Sequence, residues 1–302
     1  MRTLKRLLLI ISSITILLIG WFYLHIHSNI KLPTATYELS IQPGSNLKQI
    51  SQQLANAGII PSQWTFIILA RYLNHESAIK AGDYELTGNL SQIALLDYLI
   101  KGNAKQNEIK FIEGWTFAQI RKVLNEHPAI EYKSAGLSDQ QILQHIGASE
   151  TAVEGIFFPD TYYFIKGSSD LDILQRAYKT MQNHLQNYWS ERVESLPLNT
   201  PYEALILASI IEKETGAESD RAEIAGVFIN RLRKGMKLQT DPTVIYGLGE
   251  QFDGNLRKKD LLADQEYNTY TRAGLPPTPI SLPSLASIRA ALNPAETDAL
   301  YF

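Results

Sequence analysis

Glu212 is the residue from which chemistry can be built. It closes a run, Ala204–Ile211, in which only Ser209 is polar. A helix that is apolar on every side is a buried helix, so this carboxyl stands where a core helix meets a polar surface. At helical spacing it shares a face with Ser209, Ala208 and Leu205. Desolvation at such a place favours the neutral carboxyl. A carboxyl that keeps its proton near neutrality can give it to a leaving oxygen. The plainer alternative is a glutamate at the solvated end of a core helix, paired with Lys213 or Arg221.

Hydrolysis of a glycosidic bond with water would require a second carboxylate, about 5–5.5 Å away for retention or about 6.5–9.5 Å for inversion. Glu214 and Asp241 are the candidates. Glu214 follows Glu212 by two residues, which turns it to another side of the helix. Thiolate nucleophiles, disulfides and Cys-based metal sites are excluded because the chain has no cysteine. Residues 201–302 contain no histidine, which argues against a His-based hydrolase and a His-ligated metal there. No cofactor is expected. The formal net charge is −3 and no long basic run occurs, so nothing points to nucleic acid.

Downstream of Glu212 lie polar and aromatic groups suited to a pyranose, since rings stack on sugars and amides bond to hydroxyls. Gln239, Thr240 and Asp241 precede Tyr246, and Asn268 and Tyr270 follow in the Tyr-Asn-Thr-Tyr run that starts at residue 267. The alternative is a set of ordinary loops and turns, because Pro and Gly punctuate these stretches.

The elements that must hold these groups are legible in outline. Thr200 is a helix cap, Pro201 the first helical residue, and Glu203 completes a capping box for the helix that ends near Glu212. Residues 220–233 form a second amphipathic helix. Residues 170–190 form a long one, with Leu171, Leu174, Ala177, Tyr178, Met181 and Leu185 on one side. Between 154 and 164 an aromatic cluster surrounds a Pro-Asp turn.

Upstream, a strand–Gly–cap–helix pattern occurs twice, 70 residues apart. Gly44 aligns with Gly114, Gln49 with Gln119, Ile50 with Ile120 and Leu54 with Leu124, with Ser45 and Thr116 as the expected caps. Between the copies the order β-α-α-β-α is expected, with helices at 63–73 and 91–100 and a turn into a strand at 81–86. The strand–Pro-Gly–Ser–helix opening resembles the start of a LysM module, a glycan-binding unit.

Leu7–Leu24 carries no charge in 18 residues, enough to span a hydrocarbon core as a helix. Trp21 and Tyr23 sit near its end as interfacial aromatics, and Arg2, Lys5 and Arg6 precede it. No small-x-small cleavage site follows Leu24, so an uncleaved anchor is favoured over a signal peptide. The short N-terminal end then stays in the cytoplasm and the rest lies outside. Residues 28–36 read as a linker.

Four motifs together resemble one family. They are Glu-Gly-Ile-Phe-Phe-Pro-Asp-Thr-Tyr at 154–162, Ala-Ser-Ile-Ile-Glu-Lys-Glu-Thr at 208–215, the 230–247 segment containing Leu-Gln-Thr-Asp-Pro-Thr-Val-Ile-Tyr-Gly, and Tyr-Asn-Thr-Tyr to Gly-Leu-Pro-Pro at 267–277. The chain resembles the endolytic murein transglycosylases, also called YceG-like proteins, from its anchor to its last residue. The resemblance implies an α+β protein with a transmembrane helix (1–28), a LysM-like α+β module (29–105) and a mostly helical lytic-transglycosylase catalytic domain (106–302). It implies that Glu212 is the catalytic acid/base. The substrate would be the peptidoglycan glycan strand, cut within the strand at MurNAc–GlcNAc β-1,4 bonds to leave 1,6-anhydro-MurNAc ends. Termination of nascent strands, synthase partners and an inner-membrane, single-pass location are further expectations. A water-using muramidase and a non-catalytic glycan-binding scaffold are the alternatives. Thr278 and Ser284 depart from the glycines the family pattern leads one to expect. By the same resemblance the family runs on beyond Tyr301 and Phe302, so the expectation is a truncated form, foldable around residues 199–246 but less stable and less active than a complete one.

Overall fold

The structure is a computed structural model that describes residues 2–42, 44–102 and 107–302. Within the described residues it is a mixed helix-and-sheet protein, with three two-stranded sheets and otherwise mostly helices. The chain divides into two compact units, residues 1–107 with 164–166 and residues 108–163 with 167–302. The domain boundary expected at 105/106 falls outside the described residues, as does Pro43 of the Pro-Gly opening.

The first unit begins with α1 (Arg2–His27). The segment Leu9–His27 is long and apolar enough to cross a membrane. Most of its side chains are exposed, Trp21 and Tyr23 among them; the side chains of Arg2 and Lys5 lie outside those described. The stretch after α1 was expected to be a linker, yet it starts as packed structure. Ile26 and Ile30 are buried in the core of the unit. The Ile30 amide donates to the Leu90 carbonyl at 2.7 Å, and Gln92 Nε2 donates to the His25 carbonyl at 3.3 Å. Two isoleucines spaced to face that core explain the difference: apolar burial outweighs the polar composition around them.

β1 (Thr36–Ile41), α2 (Leu47–Asn56), α3 (Gln63–Tyr72), β2 (Gly82–Thr87) and α4 (Gln92–Lys101) follow in the expected β-α-α-β-α order. β1 and β2 pair antiparallel with Leu39 opposite Tyr84. Their alternation puts Leu39, Ile41, Tyr84 and Leu86 on one buried face against Ile50, Leu54, Phe66 and Leu95. The cap of α2 is Asn46 rather than Ser45. Its Oδ1 accepts from the Gln49 amide at 3.0 Å, and Gln49 Oε1 accepts from the Asn46 amide at 2.9 Å, a reciprocal box that satisfies two orphan donors. Ser62 and Ser91 cap α3 and α4.

The second unit contains all but the first residue of β3 (Asn107–Lys110) and the last of β5 (Thr161–Phe164), together with α5 (Phe117–Glu126), β4 (Ile130–Glu131), α6 (Asp139–Ile146), β6 (Ser168–Ser169), α7 (Asp170–Ser190), α8 (Pro201–Glu214), α9 (Arg221–Arg233), α10 (Asp241–Leu248), α11 (Lys258–Leu262) and α12 (Leu285–Leu292). The echo of the first unit is visible at the start of α5. Gly114, like Gly44, has a left-handed φ (74° and 80°), which favours glycine. Gln119 Oε1 accepts from the Thr116 amide at 2.9 Å, as Gln49 does at Asn46.

α8 is the centre of this unit. Ala204–Ile211 are all buried, and α7, α9, α10 and α12 pack around them. Thr200 Oγ accepts from the Glu203 amide at 3.2 Å. The Glu203 carboxylate reaches one residue further back than a standard box, to the Asn199 amide at 2.6 Å. The aromatic cluster lies beneath α5: Phe157 stacks on Phe117 at 5.2 Å, and Tyr162 donates its hydroxyl to the Phe158 carbonyl at 2.7 Å.

Candidate active site

Ser209, the one polar residue of the apolar run, organises the site around Glu212. Its hydroxyl donates to the Ile206 carbonyl at 2.7 Å and accepts from the Ile280 amide at 3.0 Å. Ser281 Oγ donates to the Ser209 carbonyl at 3.1 Å. These bonds press the 280–284 segment onto α8 and deliver the first turn of α12 to Glu212, three residues along the same helix face.

Glu212 is almost fully enclosed. Its side chain is 7% exposed and that of Arg221 is 9% exposed. Oε2 accepts from the Ser284 amide at 2.8 Å, from Ser284 Oγ at 2.5 Å and from Ser287 Oγ at 2.7 Å. Oε1 accepts from an Arg221 Nη at 3.3 Å. Arg221, one of the two partners considered from sequence, is therefore the ion-pair partner. Lys213 turns away and donates to the Gly114 carbonyl at 3.4 Å.

That contact brings in a carboxylate with no signal in the sequence. The loop between β3 and α5 is tied to the 280–284 segment by Gly114 N–H to the Leu282 carbonyl at 2.8 Å and Leu282 N–H to the Trp115 carbonyl at 2.7 Å. Glu113 on this loop is exposed. Its carboxyl is raised above the ordinary range, first by partial desolvation and then by the charge of Glu212, with Arg221 opposing.

A cleft of about 770 Å³ opens beside Lys213, lined by Thr116, Gln119, Glu154, Tyr246 and Tyr267 among others. Glu154 is buried at its wall. Its Oε1 accepts from the Phe117 amide at 3.0 Å and its Oε2 from the Tyr246 hydroxyl at 3.1 Å. Burial pushes its carboxyl up to about 7, against the lowering effect of those two donors. The Tyr246 ring meets Tyr267 edge-on at 4.8 Å.

The other residues singled out from sequence fall into two groups. Gln239 is exposed with a left-handed φ of 52°. Asp241, exposed at the start of α10, accepts from the half-buried Tyr270 hydroxyl at 2.5 Å. Thr240 is buried: its hydroxyl donates to Glu214 and its amide to Thr269 Oγ at 3.1 Å. The Glu214 carboxyl is raised, mainly by burial. Asn268 is fully buried. Its amide donates to the Ala263 carbonyl at 2.7 Å and the Leu261 carbonyl at 3.1 Å, and its Oδ1 accepts from the Tyr270 amide at 2.8 Å. Thr240 and Asn268 thus hold the loops that carry Gln239, Asp241 and Tyr270.

Comparison with known proteins gives a consistent picture. A model of the YceG-like family matches residues 39–302. An endolytic murein transglycosylase of Bacillus subtilis (strain 168) is 32% identical over 285 residues, covering 88% of this chain and 78% of that protein. An endolytic murein transglycosylase of Streptococcus pneumoniae serotype 2 (strain D39 / NCTC 7466) is 29% identical over 297 residues; the match covers 87% of this chain and only 53% of that protein. The crystal structure of a yceG-like protein from Listeria monocytogenes aligns with a TM-score of 0.56 at 31% identity, covering 89% of this chain and 93% of that one.

Proposed function

The chain belongs to the YceG-like family, and from that premise we propose that it is an endolytic peptidoglycan transglycosylase with Glu212 as its acid and base. The observation that carries the reading is the state of the Glu212 carboxyl: enclosed, anchored through Oε2, and left with Oε1 as its less engaged oxygen. As acid, Glu212 gives its proton to the glycosidic oxygen between MurNAc and GlcNAc. As base, it removes the proton of the MurNAc 6-hydroxyl while that oxygen closes onto C1. The product ends in 1,6-anhydro-MurNAc, and the carboxyl regains its proton. One carboxyl serves both steps because the nucleophile belongs to the substrate.

In this reading Tyr246 and the cleft beside it, with Gln239, Asp241 and Tyr270, contact the sugars, while Thr240 and Asn268 support them. The first unit is LysM-like. A groove of about 690 Å³ between the loop at Gly44–Lys48, Trp64 and Arg71 gives it a place for glycan. α1 anchors the chain in the membrane with the residues after it outside, where a nascent strand would be cut as a synthase makes it.

A second reading, hydrolysis by two carboxylates, would take Glu113 as the partner, because its loop is bonded to the 280–284 segment that holds Glu212. The test of the first reading is Glu212→Gln in the full chain, assayed on purified peptidoglycan. Loss of turnover with unchanged unfolding and glycan binding is the expected result. Wild-type turnover would remove Glu212 from the mechanism. An equally dead, folded Glu113→Gln would bring the second carboxylate in.

A further inference from the structure

We propose that Ser284 and Ser287 are positioning residues for Glu212, holding one carboxyl oxygen so that the other is the one presented to the glycan. The proposal rests on the reading of Glu212 as acid and base. The two oxygens are treated unequally. Oε2 has three donors at 2.5–2.8 Å, whereas Oε1 has one at 3.3 Å. The terminal torsion of a glutamate is broad and roughly two-fold when nothing holds it. Three donors converging on one oxygen remove that freedom and fix where Oε1 points.

The holders are themselves fixed. Ser284 caps α12, its Oγ accepting from the Ser287 amide at 3.2 Å. Both serines are buried, Ser287 completely, so water does not compete for these bonds. The segment before them is tied to Ser209 on α8.

The same donors suit both protonation states. With the proton on Oε1, Oε2 is the carbonyl oxygen of the acid and still accepts, so the cradle keeps hold of Glu212 in both states that turnover visits. The other charged groups around it are Arg221 on Oε1, Glu113 across the loop with Glu218 beyond it, and Lys213 directed away.

The test uses the full chain in detergent, with kcat and KM measured on purified peptidoglycan and unfolding followed in parallel. Glycine at a helix cap costs only a few tenths of a kcal/mol relative to serine, so Ser284→Gly removes the hydroxyl with little effect on α12. Ser284→Gly and Ser287→Ala are each expected to lower kcat about tenfold, the weight of one hydrogen bond to a charged group, with KM unchanged. Ser284→Thr, which keeps the hydroxyl, should recover most of the loss. If Ser284→Gly does not fold, Ser287→Ala, which leaves the cap in place, decides alone. Wild-type kcat in the folded serine variants, with Glu212→Gln inactive, would overturn the serine proposal and leave the Glu212 reading standing. A Ser284→Thr as impaired as Ser284→Gly would overturn it too. Turnover by Glu212→Gln would overturn both.

Discussion

The amide of Ile280 donates to the hydroxyl oxygen of Ser209 at 3.0 Å, and both residues are buried. With the bond from Ser281 Oγ to the Ser209 carbonyl, this contact joins the core helix to the segment that delivers Ser284 to Glu212. Ser209→Ala leaves the Ile280 donor without its partner inside the protein, which costs about 1–3 kcal/mol. Denaturant unfolding of the variant should show that loss, together with reduced glycan cleavage by the fraction that remains folded. Full activity and stability would mean that the 280–284 segment holds its position without the Ser209 hydroxyl.

Glu154 makes stability depend on pH. Its carboxyl is raised from 4.5 to about 7 in the folded protein by burial. The folded state therefore binds a proton that the unfolded state releases first. The contribution is fully present below about pH 4.5 and is lost as the pH rises through about 7, a loss on the order of 3 kcal/mol. Glu154→Gln keeps an acceptor for the Phe117 amide and carries no charge. It should match the wild type near pH 4 and exceed it at pH 8 in denaturant titrations. Identical pH dependence in the two proteins would contradict this account of Glu154.

Asn268 separates a fold role from a sugar-binding role. Asn268→Ala strips donors from carbonyls at Leu261 and Ala263, and the expected cost is roughly 1–3 kcal/mol of stability. KM for glycan in the folded fraction should not change. A raised KM with unchanged unfolding would place Asn268 against the substrate instead.

What could be read from the chain follows the range of the forces involved. The limits of α7, the Thr200–Pro201 start of α8 and the enclosure of Ala204–Ile211 were legible because periodicity and caps act within a few residues. Asn46 displaced Ser45 as a cap because both are good acceptors and only the reciprocal bond to Gln49 distinguishes them. The packing of Ile26 and Ile30 was hidden by their polar neighbours. At the candidate site, the carboxyl at the end of α8 could be located from pattern alone. Its surroundings could not: Ser284 and Ser287 lie more than 70 residues away in sequence, and the bond between Glu154 and Tyr246 crosses 92. Glu154 was visible only as part of an aromatic motif, and Glu113 only as part of a turn.

The placement of α1 predicts a topology. Protease added to spheroplasts should digest the chain beyond about residue 28 and spare a small N-terminal fragment. Complete protection would put both units on the side of the membrane that lacks the proposed substrate.

The most direct measurement of the central claim is the mass of the new glycan ends formed in ¹⁸O-labelled water. The full chain should release strands ending in 1,6-anhydro-MurNAc, with no label at C1, and Glu212→Gln should release none. Reducing ends heavier by one labelled water would contradict cleavage by the substrate's own hydroxyl and establish hydrolysis in its place.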